Sequence, residues 1–483
     1  MKRTCVTSMA ALAVLLGACS DDKTTNAPPP LPTIANLAAA SNPNNALSAI
    51  LTFDASNVDS ARVVYWSGSG ANQQTPFAKD ASTGRLLVLG LRPATQYNFA
   101  VEAVNGSAQR TSDTVSFSTD TLPAFLAGSS FAGTTPAAGG YVLTAMYDGS
   151  TAYAVAFDSA GQVAWYRAFP GGVPIEEVKQ QTNGDITAVV TASHGGELVQ
   201  GRAVAIAPDG SIVRTITAPD SSFLDGHELW ELTDANGAYA GAVFFAYTAR
   251  HLDLTAHGGP ADSLVTGHQI IRQDASGAQA KVFDGWDHYA LSDNVEPSPG
   301  QLDFDHPNAL TFDADGNYIV SWRNLDVITK INASTGDLMW TLAGPFAAIP
   351  SDFTITGDPL NGFSAQHSVR SLDNGNLLIF DNGTRHPTPQ SRSVEYQLDT
   401  DAHTATLVSS FTHAPPIYTA FTGSVQRLDN GDTFIGWTLG APLTATEVSS
   451  SGTTVWEGTL TAPTVQIPYR FTKIASLYGY VRP

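Results

Sequence analysis

The chain has 483 residues, 43% of them hydrophobic and only 14% charged, with 42 glycines, 28 prolines and a formal charge of −20. So acidic a chain excludes nucleic acid as a partner, because phosphates need a basic face, and it disfavours simple adhesion to anionic lipid. Abundant Gly and Pro, without sustained apolar spacing at i, i+3, i+4 and i+7, exclude a helical protein and point to many short strands.

At the N-terminus, Lys2 and Arg3 precede an apolar stretch from Met9 to Leu16. That stretch is too short to span a bilayer and has the form of an export signal. It ends in Leu16-Gly17-Ala18-Cys19, which resembles the lipobox of bacterial lipoproteins. The resemblance implies a lipidated Cys19 as the new N-terminus, with 1–19 as signal peptide. Ser20 in place of Asp after the Cys is similar to lipoproteins sorted to an outer membrane. The protein is then exported, periplasmic or surface-exposed, and touches membrane through its lipid alone. Cys5 and Cys19 are the only cysteines, so the mature chain has no disulfide to form. Losing Lys2 and Arg3 takes the charge from −20 to −22. Residues 20–32, with "TTNAPPPLP", read as a flexible tether.

Residues 33–122 carry short alternating strands, "ALSAILTFDA", "ARVVYW", "RLLVLGL", "QYNFAVEAV" and "DTVSFSTD", separated by Gly, Ser, Asn and Asp. Five or more strands in so few residues predict a small β-sandwich. Leu91 to Gly106 resembles the corner and following strand of fibronectin type III domains, with Tyr97 as the corner tyrosine. Phe53 stands where that family often has a Trp. This domain reads as a spacer or docking module without chemistry.

Residues 123–483 repeat. Gly-x-x-x-Trp occurs at Gly161/Trp165, Gly336/Trp340 and Gly452/Trp456, 175 and 116 residues apart, or three and two units of about 58. Gly followed by Asn or Asp opens an apolar strand at Gly184, Gly316, Gly375 and Gly431, the last three 59 and 56 residues apart. Two independent phrases sharing one period, with no helix, predict an all-β six-bladed β-propeller.

Propellers hold ligands over the centre, in loops at the ends of the inner strands. Candidates there are His227 in "LDGHELWEL", His306 in "FDHPN", Arg323 after "YIVSW", His367 with Arg370 beyond it, and the C-terminal "PYRFTKI". His306 and His367 lie 61 residues apart, each just upstream of a Gly turn, so they occupy equivalent places in consecutive repeats. His367 could also cap a turn, His306 begin one, and Arg323 pair with Asp326. Tyr469 and Arg470 fit closure of the ring as well as contact with substrate. "DADGN" at 313–317 reads as a hairpin turn, since a calcium loop needs a later Glu. Neither CxxC nor HExxH occurs, and no metal or other cofactor is expected.

The stretches 304–344 and 351–383, "FDHPNALTFDADGNYIVSWRNLDVITKINASTGDLMWTLAG" and "SDFTITGDPLNGFSAQHSVRSLDNGNLLIFDNG", resemble the bacterial arylsulfotransferases. The resemblance runs from about Gly226 to the end. It implies a six-bladed propeller behind a small β-sandwich, moving sulfuryl groups from an aryl sulfate donor to a phenolic acceptor without a nucleotide. It also implies that His367 is the nucleophile that becomes sulfohistidine. His306, Arg323 and His227 would hold the sulfuryl oxygens and assist the phenolic ones, and Asn308 and Tyr469 would contact substrate. The chain departs from the family in lacking a disulfide and in having Pro307 between His306 and Asn308. The competing expectation is a catalytically silent surface propeller that binds glycans or proteins. The oligomeric state is not encoded in these patterns.

Overall fold

The computed structural model describes residues 28–79, 81–133, 139–190, 198, 200–296 and 301–479. The expected signal peptide, Cys19 and most of the expected tether lie outside these residues. Within them the chain is all-β, its helices being single turns at Ala124–Ala127 and Gly285–His288 and short 3-10 segments.

The first nine strands, from Thr33–Ser41 to Val115–Ser118, form a three-stranded and a six-stranded sheet. All five strands expected from the alternation are present. Ser60–Trp66 alternates buried and half-buried residues along its length, as a strand facing a core on one side must. The two sheets share one apolar cluster that includes Leu51, Phe53, Val63, Tyr97 and Phe99. The Tyr97 hydroxyl accepts a hydrogen bond from Arg92 N–H at 2.9 Å, which pins the corner ahead of the strand Gln96–Asn105. Ion pairs Arg92–Asp158 (2.6 Å) and Arg85–Asp209 (2.9 Å) tie this unit to the rest.

Beyond it lie six sheets in chain order, antiparallel except where Gln301–Asp303 pairs in parallel with Ser263–Asp274 and Thr354–Thr356 with Thr404–Phe411. Four are sequential meanders beginning with Ile175–Gln180, Phe223–Thr233, Pro307–Phe312 and His367–Ser371. The remaining two are completed from far away in the chain. In the first sheet, Thr472–Ile474 pairs with Tyr141–Tyr147, and in the sixth, Ser130–Gly133 pairs with Thr454–Thr461. Among the described residues none of the sheets closes on itself. Their first strands touch one another in succession, from Ile175–Gln180 round to Ser424–Arg427, which meets Thr472–Ile474. The Gly turns at 184, 316, 375 and 431 all join the first strand of a sheet to its second, with φ between 80° and 92°. That left-handed geometry favours Gly. Trp165, Trp340 and Trp456 all sit on the strand that ends a meander.

Where the first strands converge, charge is buried. Glu177, Lys179, Glu228 and Arg470 are less than 10% exposed. Arg470 pairs with Glu177 and, at 2.9 Å, with Glu228. Lys179 pairs with Glu228 and, at 3.1 Å, with Glu177, and its ammonium lies 3.7 Å from the centre of the Trp230 ring. Arg370 reaches Glu228 at 3.2 Å. Burial and the adjacent Glu228 push the Glu177 carboxyl up to about 7, against the pull of Lys179 and Arg470. Removing one partner of such a cluster strands a buried charge, so Arg470→Met should cost about 3–5 kcal/mol. It should appear as a lower urea midpoint, partly restored by Glu177→Gln in the same chain, and an unmoved midpoint would show that the cluster contributes nothing.

Candidate active site

The strands that open the second to fifth sheets share one irregularity near their starts. Ile175 pairs with Val190 but Val178 with Ala188, and Leu224 pairs with Ala246 but Leu229 with Phe244. Pro307 pairs with Trp322 but Ala309 with Ser321, and His367 with Phe380 but Arg370 with Leu378. Each mismatch is a β-bulge, which bends the strand and re-aims side chains. The bulge at 225–228 carries Asp225 and His227. Gly226 lies there because a Cβ would meet the Glu176 carboxylate at 1.4 Å. His306 (φ 43°), Ala365 (51°), Ser368 (54°) and Thr422 (65°) all hold left-handed backbone, a conformation uncommon outside Gly and held only by surrounding structure.

His227, His306, Arg323, His367 and Tyr469 line one cavity of about 950 Å³. The rings of His227 and His306 are 4.6 Å apart between centres, with Tyr469 5.3 Å from His227 and 6.3 Å from His367. Asn308 is fully buried and is not one of the lining residues. Its carbonyl accepts from Tyr469 Oη at 2.7 Å and Arg470 Nη2 at 2.8 Å, and its Nδ2 donates to the Gln366 carbonyl. Arg370 and Arg470 belong to the buried ion cluster.

Hydrogen bonds fix the state of each histidine. His367 Nδ1 faces two acceptors, Asn382 Oδ1 at 2.7 Å and Ala365 O at 3.1 Å, so it carries the proton. The Asn382 amide is oriented in turn, since its Nδ2 donates to the carbonyls of Thr419 and Thr422. The lone pair is left on Nε2, which accepts from Thr422 N–H at 3.2 Å. Burial, then Arg323 and His306, hold the His367 pKa well below 6.5, so it is neutral. His306 pairs through Nδ1 with Asp303, yet burial, His227 and Arg323 outweigh that carboxylate and lower its pKa. Burial would lower His227 too, but Asp225 at 2.8 Å, with Glu176 and Asp303, raises it. Arg323 is gripped by Glu296 and donates to Asn324 Oδ1 at 2.7 Å, while its buried Nε has no partner among the described residues. It does not pair with Asp326, which binds Arg385.

The sequence reading did not include His268 or the carboxylates. Buried His268 bonds Asp305 Oδ1 through Nδ1 at 2.6 Å and lies 3.4 Å from Asp225 through Nε2. Burial opposes its charge, but Asp305, Asp225 and Asp303 raise its pKa well above 6.5. Its imidazolium thus holds Asp225, which holds His227. Ligand-type atoms of His268, Asp303 and Asp305 fall within 4.8 Å of one another, as a divalent ion would need. In this arrangement the His268 imidazolium offsets part of the carboxylates' charge. Asp225 and Asp303 had a legible signal, each standing two or three residues before a candidate histidine. His268 had none, lying inside the ordinary strand Ser263–Asp274. Asp225→Asn should move the His227 titration to lower pH, because burial remains when the nearest carboxylate is removed. Histidine-resolved NMR titration would read this, and an unchanged midpoint would disprove the pairing.

A profile of the family described as Arylsulfotransferase (ASST) matches residues 206–461, just over half of the chain. Among solved structures, a protein of unknown function from Bacteroides caccae is 14% identical over 70% of this chain and 100% of that one, with a TM-score of 0.44. Virginiamycin B lyase from Staphylococcus aureus, an inactive variant with quinupristin, is 12% identical over 69% of this chain and 87% of that one, with a TM-score of 0.35. Apo AztD from Citrobacter koseri is 10% identical over 86% and 98%, with a TM-score of 0.32. No curated protein matches the chain. With more than half of its length matched by that one profile, the chain belongs to the arylsulfotransferase family.

Proposed function

We propose that this sulfotransferase moves sulfuryl groups from aryl sulfate esters to phenols through a sulfohistidine at His367, without a nucleotide donor. The observation that carries the reading is the division of labour among neighbouring histidines: Asp225 favours the imidazolium at His227 against its burial, while burial, with nearby cations, favours neutral rings at His306 and His367. Environments that push pKa values apart supply acid and base in one site at one pH.

In the first half-reaction His367 Nε2 attacks sulfur and the S–O(aryl) bond breaks. The departing phenolate takes the proton of His227. The new N–S bond leaves positive charge on the ring, which the Nδ1–H to Asn382 bond stabilises. In the second half, a phenol gives its proton to His306 and its oxygen attacks sulfur, breaking the N–S bond and restoring neutral His367. The acceptor's proton enters on His306 and the donor's left from His227, so a net proton passes between rings 4.6 Å apart between turnovers. By analogy with phosphoryl transfer, catalysis is positioning plus preorganised positive charge. The Nε of Arg323, which has no partner among the described residues, suits a sulfuryl oxygen, and the guanidinium offers a planar fork of donors. Asn308 acts by positioning Tyr469 and Arg470.

The proposal extends to the architecture. Six sheets in succession, completed from both ends of the region, support a six-bladed β-propeller over 123–483. The corner hydrogen bond of Tyr97 supports a fibronectin type III-like sandwich over 33–122. An export signal and lipid anchor at Cys19, with a tether over 20–32, rest on the sequence alone.

Mass spectrometry after treatment with an aryl sulfate should find sulfate on His367, and turnover with none there would reject the covalent mechanism. His367→Ala should lose transfer by about a thousandfold or more while melting normally. The pH profile of kcat/KM should be bell-shaped. For the donor, activity is lost as pH falls through the lowered pKa of His367, which protonates the nucleophile, and as pH rises through the raised pKa of His227, which empties the acid; for the acceptor, the loss at low pH follows the lowered pKa of His306. Saturable binding of phenols and aryl sulfates with no turnover at any pH would favour a binding protein instead.

A further inference from the structure

The cavity is lined by two unlike sets of side chains: the histidines, Arg323 and the carboxylates, and the apolar Met146, Ile175, Leu224, Phe421, Val465 and Ile467. The last three also form an exposed lip, with Phe421 43%, Ile467 59% and Val465 93% exposed. Their exposure has a local cause. Between Val465 and Ile467 lies buried Gln466, whose Oε1 accepts from Tyr147 N–H at 2.8 Å and whose Nε2 donates to Tyr147 O at 2.8 Å. The amide takes the place of a backbone partner on the strand Tyr141–Tyr147 and turns the flanking β-branched side chains outward. Leaving apolar side chains in water forgoes roughly 25 cal/mol for each Å² of apolar surface, and contiguous exposed patches mark binding sites. The lip is joined to the reacting centre, because Phe421 precedes Thr422, whose N–H bonds His367 Nε2. Pockets of about 300–1,000 Å³ take drug-sized ligands, so a cavity near the top of that range is not filled by one phenol ring.

We infer that the cavity selects phenols, and their sulfate esters, whose aromatic body is large, apolar and uncharged, with Phe421, Val465 and Ile467 as the specificity-determining side chains. This rests on the sulfuryl-transfer reading for its chemistry, but not for the binding preference. Among the described residues, these apolar side chains bring no cation to an anionic substituent on the aromatic body. A fused second ring or an alkyl chain on the phenol lies against the lip, and the hydroxyl or sulfate sits among the histidines.

The test is an acceptor series with 4-nitrophenyl sulfate as donor: phenol, 4-ethylphenol, 4-butylphenol, 2-naphthol and 4-hydroxybenzoate. kcat/KM should rise roughly three- to fourfold for each methylene, mostly through KM, with 4-hydroxybenzoate the poorest acceptor. Ile467→Ser and, separately, Val465→Ser should shrink the ratio of 2-naphthol to phenol several-fold, a comparison made within one folded sample. A flat series, or 4-hydroxybenzoate equal to 4-butylphenol, overturns the inference. Equilibrium binding of the same phenols needs no turnover and should follow the same order. Ordered binding without transfer to any acceptor would sink the enzymatic reading and leave this one standing.

Discussion

Burying charge is the constraint on which the rest of the molecule depends. Glu177, Lys179, Glu228 and Arg470 lie away from water, and each ion left without a partner would cost several kcal/mol. The partners come from the second and third sheets and from the segment after the sixth, with Arg370 arriving from the fifth. The cluster is satisfied only when all of these are in register. The floor of the cavity hangs from it, because Arg470 and Tyr469 share the Asn308 carbonyl. A shift that loosened the ions would also move the tyrosine between His227 and His367.

Above that floor the backbone is held in conformations it would not choose. Bulges interrupt the opening strands of four consecutive sheets, and left-handed residues flank His367 on both sides. Thr422 is β-branched, which makes its positive φ the least expected of these. Such strain persists where the surroundings over-determine it, and the regular strand Leu377–Asp381 behind His367 is wholly buried. The donors and acceptors around the imidazole are therefore set before any substrate arrives, the condition under which electrostatic stabilisation is most effective.

Much of this was legible in the sequence because it depends on local rules. Gly184, Gly316, Gly375 and Gly431 marked the same turn in four sheets, since only that turn needs a left-handed residue before an apolar strand. The spacing of His306 and His367 placed them at equivalent strand starts for the same reason. What escaped notice depends on long-range pairing. His268 gains its charge from Asp225 and Asp305, and Arg323 finds Glu296 where the near neighbour Asp326 had been a candidate. The candidate histidines and Arg323 are joined in the cavity by carboxylates at Asp225 and Asp303. These were adjacent in sequence to the histidines they tune, and only the fold shows which nitrogen each one holds.

The two ends of the six-sheet region complete each other's sheets. Ser130–Gly133 is made early and must wait for Thr454–Thr461, while Tyr141–Tyr147 waits for Thr472–Ile474. For most of synthesis the growing polypeptide therefore exposes two unfinished strand edges, the feature most prone to mispairing between molecules. Tyr469 and Arg470 lie between the two late strands, so a ribosome that stalled short of them would release a product with an unpaired edge and an unfinished cavity. Any cell making this protein gains from keeping the nascent form apart from its copies until Thr454–Thr461 and Thr472–Ile474 have emerged.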